Sequence, residues 1–294
     1  MELSEPDRSR LVEVNRTTLR LWEWGDVDAP AVLCIHGAQD HGRMWDGLAP
    51  RVAELGYRVV ALDCRGHGDS GRLFSGHLWH NLSLDLCALA RQLGPPVGLV
   101  GHSMGGGQAM FMAGVWPELV RWVVDIDGLG PPEGAFGQGD IAEGADRGLS
   151  AVQRLVSSPA RIYASTDEMV ERRLQVNHRM PRPWMEHLVR HGSRPVEGGW
   201  AWKADPLFMI GLPGEFDIEH LNAEFEMTRA PVLVLTGSEA DTWSDLTPAQ
   251  KDERLSHFVD VRHEEISGAG HYVHLEQPDA VLEAVTRFLT EVGP

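Results

Sequence analysis

The chain has 294 residues, 43% of them hydrophobic, and carries 43 Asp and Glu against 26 Lys and Arg, a formal charge of −17. That is enough apolar material for one large domain or a domain with an insertion, and so negative a surface excludes nucleic acid and anionic membrane as natural partners. The opening "MELSEPDRSRL" lacks the basic start and apolar run of a signal peptide, and no apolar run reaches membrane-spanning length, so a cytoplasmic location is expected. Three scattered cysteines, Cys34, Cys64 and Cys87, form no CxxC pair and read as buried or semi-buried thiols.

In chain order, "VEVNRTTLRLWEW" predicts an opening hairpin, "AVLCIHG" and "YRVVALDCRG" two buried strands, and "WDGLAPRVAELG" a helix between them. A helix at "LSLDLCALARQLG" precedes the strand "VGLVGHS", the helix "MGGGQAMFMAGVW" and the strand "VRWVVDIDG". Strands alternating with helices imply a mostly parallel, doubly wound sheet. From residue 131 to 222 the rhythm changes to Gly, Pro, Trp and Arg with helical stretches such as "TDEMVERRLQVNH" and "PWMEHLVRHG" and no buried-strand pattern. Strands return at "APVLVLTGSEAD" and "HFVDVRHEEISGAGH", followed by an amphipathic helix, "PDAVLEAVTRFLTEV". The expected organisation is a sheet domain made of residues 1–130 and 223–294, interrupted by a helical cap at 131–222.

Gly101-His102-Ser103-Met104-Gly105 sets the pattern GxSxG between a predicted strand and a predicted helix, the context of a nucleophile elbow. Glycines on both sides remove Cβ atoms that would clash in so sharp a bend, leaving the Ser103 hydroxyl exposed above the first amides of the helix. Such a hydroxyl needs a base to take its proton and a carboxylate to orient the base. His271, after the last predicted strand and before the last helix, is the expected base.

"CIHGAQDHGRMW", "DCRGHGDSG", "GHSMGG", "LTGSEAD" and "GAGHYVHLEQP" stand in the order and spacing of the α/β-hydrolase superfamily. Within it the chain resembles the serine-hydrolase-like, esterase-type branch, through "GHSMGG", "DIDGLGPP" and "GGWAWKADPLF". The resemblance implies an eight-stranded, mostly parallel sheet flanked by helices under a helical cap, with Ser103 as nucleophile, His271 as base, and the backbone N–H groups of Ala38 and Met104 as oxyanion hole. Ala38 stands where the family often has a larger residue. For the acid, Asp241 in "TGSEAD" matches the usual position, one residue further from the glycine than is common, and is preferred; Asp127 in "VVDIDG" matches a relocated site used by a minority and is the alternative.

The remaining motifs read as structural. His102 is expected to pack within the elbow, His36 to brace the oxyanion loop, and Asp63 and Arg65, as a buried structural pair, to tie down the loop after their strand. His187 and His191 share a helix face but lack an HExxH-type carboxylate, so no metal is expected, and no glycine-rich stretch has nucleotide-binding spacing, so no cofactor is expected. Trp45, Trp184, Trp200, Trp202 and Trp243 are candidates to line an apolar acyl pocket under the cap or simply to pack it. The expectation is a serine hydrolase of a small carboxylic ester or thioester, monomeric or homodimeric. A C–C bond hydrolase, a cofactor-free oxygenase or perhydrolase, or a weakly catalytic small-molecule receptor are the alternatives. Dehalogenase and epoxide-hydrolase chemistry is disfavoured, because both use a carboxylate nucleophile where this chain has Ser103.

Overall fold

The computed structural model describes residues 3–72, 79–132, 161–206, 218–243 and 245–293, together with 149, 150, 153, 154 and 157. Its strands are Arg8–Val14 (β1), Thr17–Trp24 (β2), Ala31–Ile35 (β3), Arg58–Leu62 (β4), Val97–His102 (β5), Val120–Ile126 (β6), Ser193–Val196 (β7), Gly199–Trp202 (β8), Val232–Gly237 (β9) and Val261–Ile266 (β10). Eight of them form one sheet in the order β1-β2-β4-β3-β5-β6-β9-β10. The first two are antiparallel to their neighbours and the rest run parallel. The opening hairpin closes through Asn15 and Arg16, both at positive φ (43° and 63°), the turn whose twist suits a two-residue connection.

Helices Ala49–Ala53 (α1), Trp79–Leu93 (α2), Met104–Val115 (α3), Thr166–Val176 (α4), Arg182–Gly192 (α5), Ile218–Met227 (α6), Pro248–Leu255 (α7), Val273–Glu276 (α8) and Pro278–Val292 (α9) complete the described elements. The central strands are buried on both faces and therefore read as continuous apolar runs rather than alternating ones. In β3, Leu33 and Ile35 join a core with α2 and α3, while Val32 and Cys34 join a second core on the opposite face with α9. Met169, Val170, Trp184, Met185 and Leu188 of α4 and α5 belong to that second core, so these helices are anchored to the sheet domain by burial.

Three expectations need correction. The helix read over "WDGLAPRVAELG" is only the five-residue α1, with a 3-10 turn, Gly42–Trp45, leading into the segment: Pro50 fits the first turn of a helix but not its interior, and Gly56 ends the segment at φ 91°. The segment 131–222 contains a hairpin, β7-β8, turned at Gly198 (φ 84°) and Gly199 (φ 149°). It was illegible as strand because Arg194, Pro195 and Glu197 break any apolar alternation. The boundary placed at 222 falls inside α6, whose Leu221 and Phe225 belong to the first core.

Asp63 and Arg65 are also not partners. Asp63 accepts hydrogen bonds from the Trp22 indole (3.1 Å) and the N–H groups of Gly42 and Asp69 (each 2.7 Å), and burial pushes its carboxyl pKa up. The Arg65 guanidinium instead grips Asp85 of α2 through Nε (2.5 Å) and Nη2 (2.6 Å), with both side chains 3% exposed. Removing one partner from a buried pair strands the other charge, so Asp85→Ala is expected to cost about 3–5 kcal/mol, read as a lowered urea midpoint.

Candidate active site

Ser103 joins β5 to α3 at φ 53° and ψ −118°, a conformation that non-glycine residues avoid. The bend is forced by close packing of backbone against backbone. A Cβ on Gly101 would lie 2.3 Å from the carbonyl oxygen of Gly105, and one on Gly105 would lie 2.1 Å from that of Ile35. Glycine at both places lets α3 press against β3 and β5, so the reversal must be completed at Ser103. Its own N–H donates to the Ile126 carbonyl at the end of β6 (3.0 Å).

The loop expected to form an oxyanion hole leaves β3 alongside. His36 braces it, with Nδ1–H donating to Gly37 O (2.6 Å) and Nε2 accepting from the Cys64 N–H (2.9 Å). Burial lowers the His36 pKa, consistent with the neutral ring this pairing needs. Ala38, Ser103 and Met104 line one cavity of about 750 Å³ together with Asp127 and His271. Met104 opens α3, so its N–H belongs to the first turn, where amides lack helical acceptors.

The imidazole of His271 is partnered by Asp127, the less favoured of the two carboxylates. Its Nδ1–H donates to Asp127 Oδ2 at 2.6 Å, and both side chains are 8% exposed. Asp127 sits just past β6, beside the strand that carries Ser103. Its φ of 53° and the hydrogen bond from its N–H to Leu235 O (2.8 Å) fix it in the crevice. Asp241 lies past β9, and its carboxylate is consumed by backbone: Oδ2 accepts the N–H of His271 (3.2 Å) and Oδ1 that of Thr242 (2.5 Å). The expectation that Asp241 orients the ring is thus corrected. Asp241 meets the main chain of the histidine loop, while Asp127 meets the ring.

Two contacts that sequence reasoning missed also hold this loop. His102 does more than pack: its Nε2–H donates to the His271 carbonyl oxygen (2.9 Å). From α4, Arg173 reaches across to form an ion pair with Asp40 and donates to Gln39 O (3.3 Å) and the Tyr272 hydroxyl (3.3 Å), while that hydroxyl donates to Asp40 (3.2 Å). Burial opposes the Arg173 charge, but the Asp40 carboxylate outweighs it and raises the pKa above the usual arginine range. Asp40 and Tyr272 neighbour residues that the motifs single out; nothing in the pattern of α4 marks Arg173.

The five tryptophans divide. Trp202 and Trp243 line the cavity, Trp45 and Trp184 are buried in the second core, and Trp200 packs against that core from a half-buried position. All three cysteines are free and buried. The His187 and His191 rings lie 4.6 Å apart at a tilt of 57°, and the fold adds Asp46, whose carboxylate sequence spacing could not supply. The Arg43 guanidinium already binds that carboxylate, with its Nε 2.9 and 2.8 Å from the two oxygens.

Burial, reinforced by the nearby His271, lowers the His102 pKa to about 4, below its ordinary value of 6.5. Because the unfolded chain takes up this proton at a higher pH than the folded one, the contribution of neutral His102 is fully present above about pH 6.5 and is lost as the pH falls towards 4. A histidine-resolved NMR titration is expected to show the His102 ring unprotonated at pH 5.5.

A family model described as "Alpha/beta hydrolase family" matches residues 32–284. A probable serine hydrolase of Drosophila melanogaster is 27% identical over 91% of this chain and 83% of its own length. The 2-(acetamidomethylene)succinate hydrolase of Mesorhizobium japonicum is 28% identical over 96% and 95%. Among solved structures, a hypothetical protein from Pseudomonas aeruginosa superposes with a TM-score of 0.84 at 26% identity, covering 98% of this chain and 100% of that one. With its sheet order, its serine elbow and a family match over most of its length, this chain belongs to the alpha/beta hydrolase family.

Proposed function

We propose that the protein is a serine hydrolase that cleaves a carboxylic ester or thioester through an acyl-enzyme, with Asp127 rather than Asp241 completing a Ser103–His271–Asp127 triad. The observation that carries this reading is the 2.6 Å contact between His271 Nδ1 and Asp127 Oδ2 in a cavity that also exposes the strained Ser103. Relatives named as serine hydrolases and esterases support the reaction class.

In this reading Ser103 Oγ attacks the carbonyl carbon as its proton passes to His271 Nε2. Asp127 keeps Nδ1 protonated, so that Nε2 presents its lone pair, and stabilises the imidazolium that forms. The N–H groups of Ala38 and Met104 receive the developing oxyanion, a contact that strengthens as charge moves onto oxygen and therefore lowers the barrier rather than merely binding substrate. His271 returns the proton to the departing alcohol or thiol, and a water activated by the same ring then releases the acid. Asp241 serves as a positioning residue, holding the backbone from which His271 projects.

Two measurements test the assignment. A fluorophosphonate probe is expected to label Ser103 in the wild type and to leave folded Ser103→Ala unlabelled; label persisting in that variant would sink the nucleophile assignment. Asp127→Asn is expected to lower kcat on p-nitrophenyl esters by about 10⁴-fold with KM little changed, as loss of a triad carboxylate does, whereas Asp241→Asn is far milder. The reverse ranking in folded variants would return the acid to Asp241.

A further inference from the structure

The cavity is charged against the rest of the molecule. Acids outnumber bases 43 to 26 in the chain, yet five arginines line this one cavity, Arg72, Arg161, Arg172, Arg173 and Arg194, against the three carboxylates of Asp40, Asp127 and Asp205. Gathering like charges at one opening costs repulsion that a fold does not retain without a use.

Two of the five have evident structural uses. Arg173 is committed to Asp40, and Arg172 pairs with Glu168 one helical turn away (2.9 Å). The other three are exposed and form no ion pair within contact distance among the described residues, although Arg161 lies near enough to Glu168 to lower its carboxyl pKa. Arg72 donates to the carbonyl oxygen of Lys203, Arg161 lies over the Tyr163 ring at 5.1 Å, and Arg194 has no hydrogen-bond or ion-pair partner among the described residues. Of the three carboxylates on this lining, Asp40 is taken by Arg173 and Asp127 by His271.

Two of these arginines come from one small sheet and the segment bridged to it. Tyr163 and Trp200 exchange two 2.8 Å hydrogen bonds, adding a bridge to β8, and β8 in turn pairs Ala201 with Arg194 of β7. Arg161, two residues before Tyr163, falls on the same side as Tyr163 in an extended chain, and the cavity is lined by Arg161, Tyr163, Ala201 and Arg194. Two planar cations thus line the same cavity as Ser103.

We infer that the substrate carries a second, non-reacting anionic group, a carboxylate or phosphate, which Arg161 and Arg194 bind at the cap side of the cavity while its ester or thioester carbonyl lies at Ser103. A guanidinium offers a planar pair of N–H donors matched to either oxyanion, and mouth charges of the opposite sign also raise the encounter rate of such a substrate. This inference rests on the hydrolase reading above and specifies its substrate class.

Matched substrates test it. In one pair, the p-nitrophenyl monoester of glutarate is compared with p-nitrophenyl pentanoate, placing a carboxylate on the acyl side; in the other, S-acetyl phosphopantetheine is compared with S-acetyl pantetheine, placing a phosphate on the leaving side. The wild type is expected to favour the anionic member of one pair by about tenfold or more in kcat/KM, a preference that added salt erodes. In the Arg161→Gln/Arg194→Gln variant the anionic-to-neutral ratio is expected to fall about tenfold, and charge reversal at the same positions to invert it. Equal turnover of charged and neutral members in both pairs, or a ratio unmoved in the variants, would overturn the inference while leaving the hydrolase reading intact. Turnover of none of the four substrates, with no labelling of Ser103, would overturn both.

Discussion

The backbone of α3 approaches the sheet so closely at Gly101 and Gly105 that no side chain fits between them, and most of the site's geometry depends on that approach. Because the helix cannot move away from the sheet, the chain must reverse at Ser103 in a conformation a serine would otherwise avoid. The same reversal aims the first amides of α3 at the cavity and binds Ser103 N–H to the end of β6. The strain is held by burial over the two cores, which fix the sheet on both faces.

Around that elbow the remaining groups are positioned mainly through backbone atoms. His102 and Asp241 hold the carbonyl and the N–H of the same residue, His271, from opposite sides, which leaves its ring free to meet Asp127. This division of labour explains how two aspartates from different loops can lie near one histidine without ambiguity about which touches the ring. The Arg173–Asp40–Tyr272 network adds the cap: a single guanidinium from α4 touches both the oxyanion loop and the loop of His271, coupling the cover to the two segments whose placement the proposed chemistry needs.

Electrostatics separate the molecule into two regions. A surface of net negative charge keeps anions at a distance, whereas the cavity concentrates arginines drawn from α4, β7 and the segment before α4, together with Arg72 from the chain after β4. Apart from the adjacent Arg172 and Arg173, these side chains come from separate segments, so no single run of basic residues along the sequence marks the cluster.

The sequence by itself determined the sheet, the elbow and the place of the candidate histidine. Buried parallel strands appear as unbroken apolar runs, GxSxG between a strand and a helix encodes a bend that only those residue types allow, and His271 sits in a loop whose flanking patterns are unmistakable. These are local properties, written within a few residues. Only the tertiary structure decided which carboxylate meets the imidazole, that Arg65 pairs with Asp85 rather than Asp63, that Trp45 and Trp184 are core rather than lining, and that a hairpin lies in the inserted segment. Asp127 and Asp241 both end strands of the same sheet and differ by no local signal. What separates them is the left-handed backbone at Asp127 and its place one strand from Ser103, while Asp241 is spent on the main chain of the neighbouring loop. Such choices are made by distance in three dimensions, which spacing along a chain does not encode.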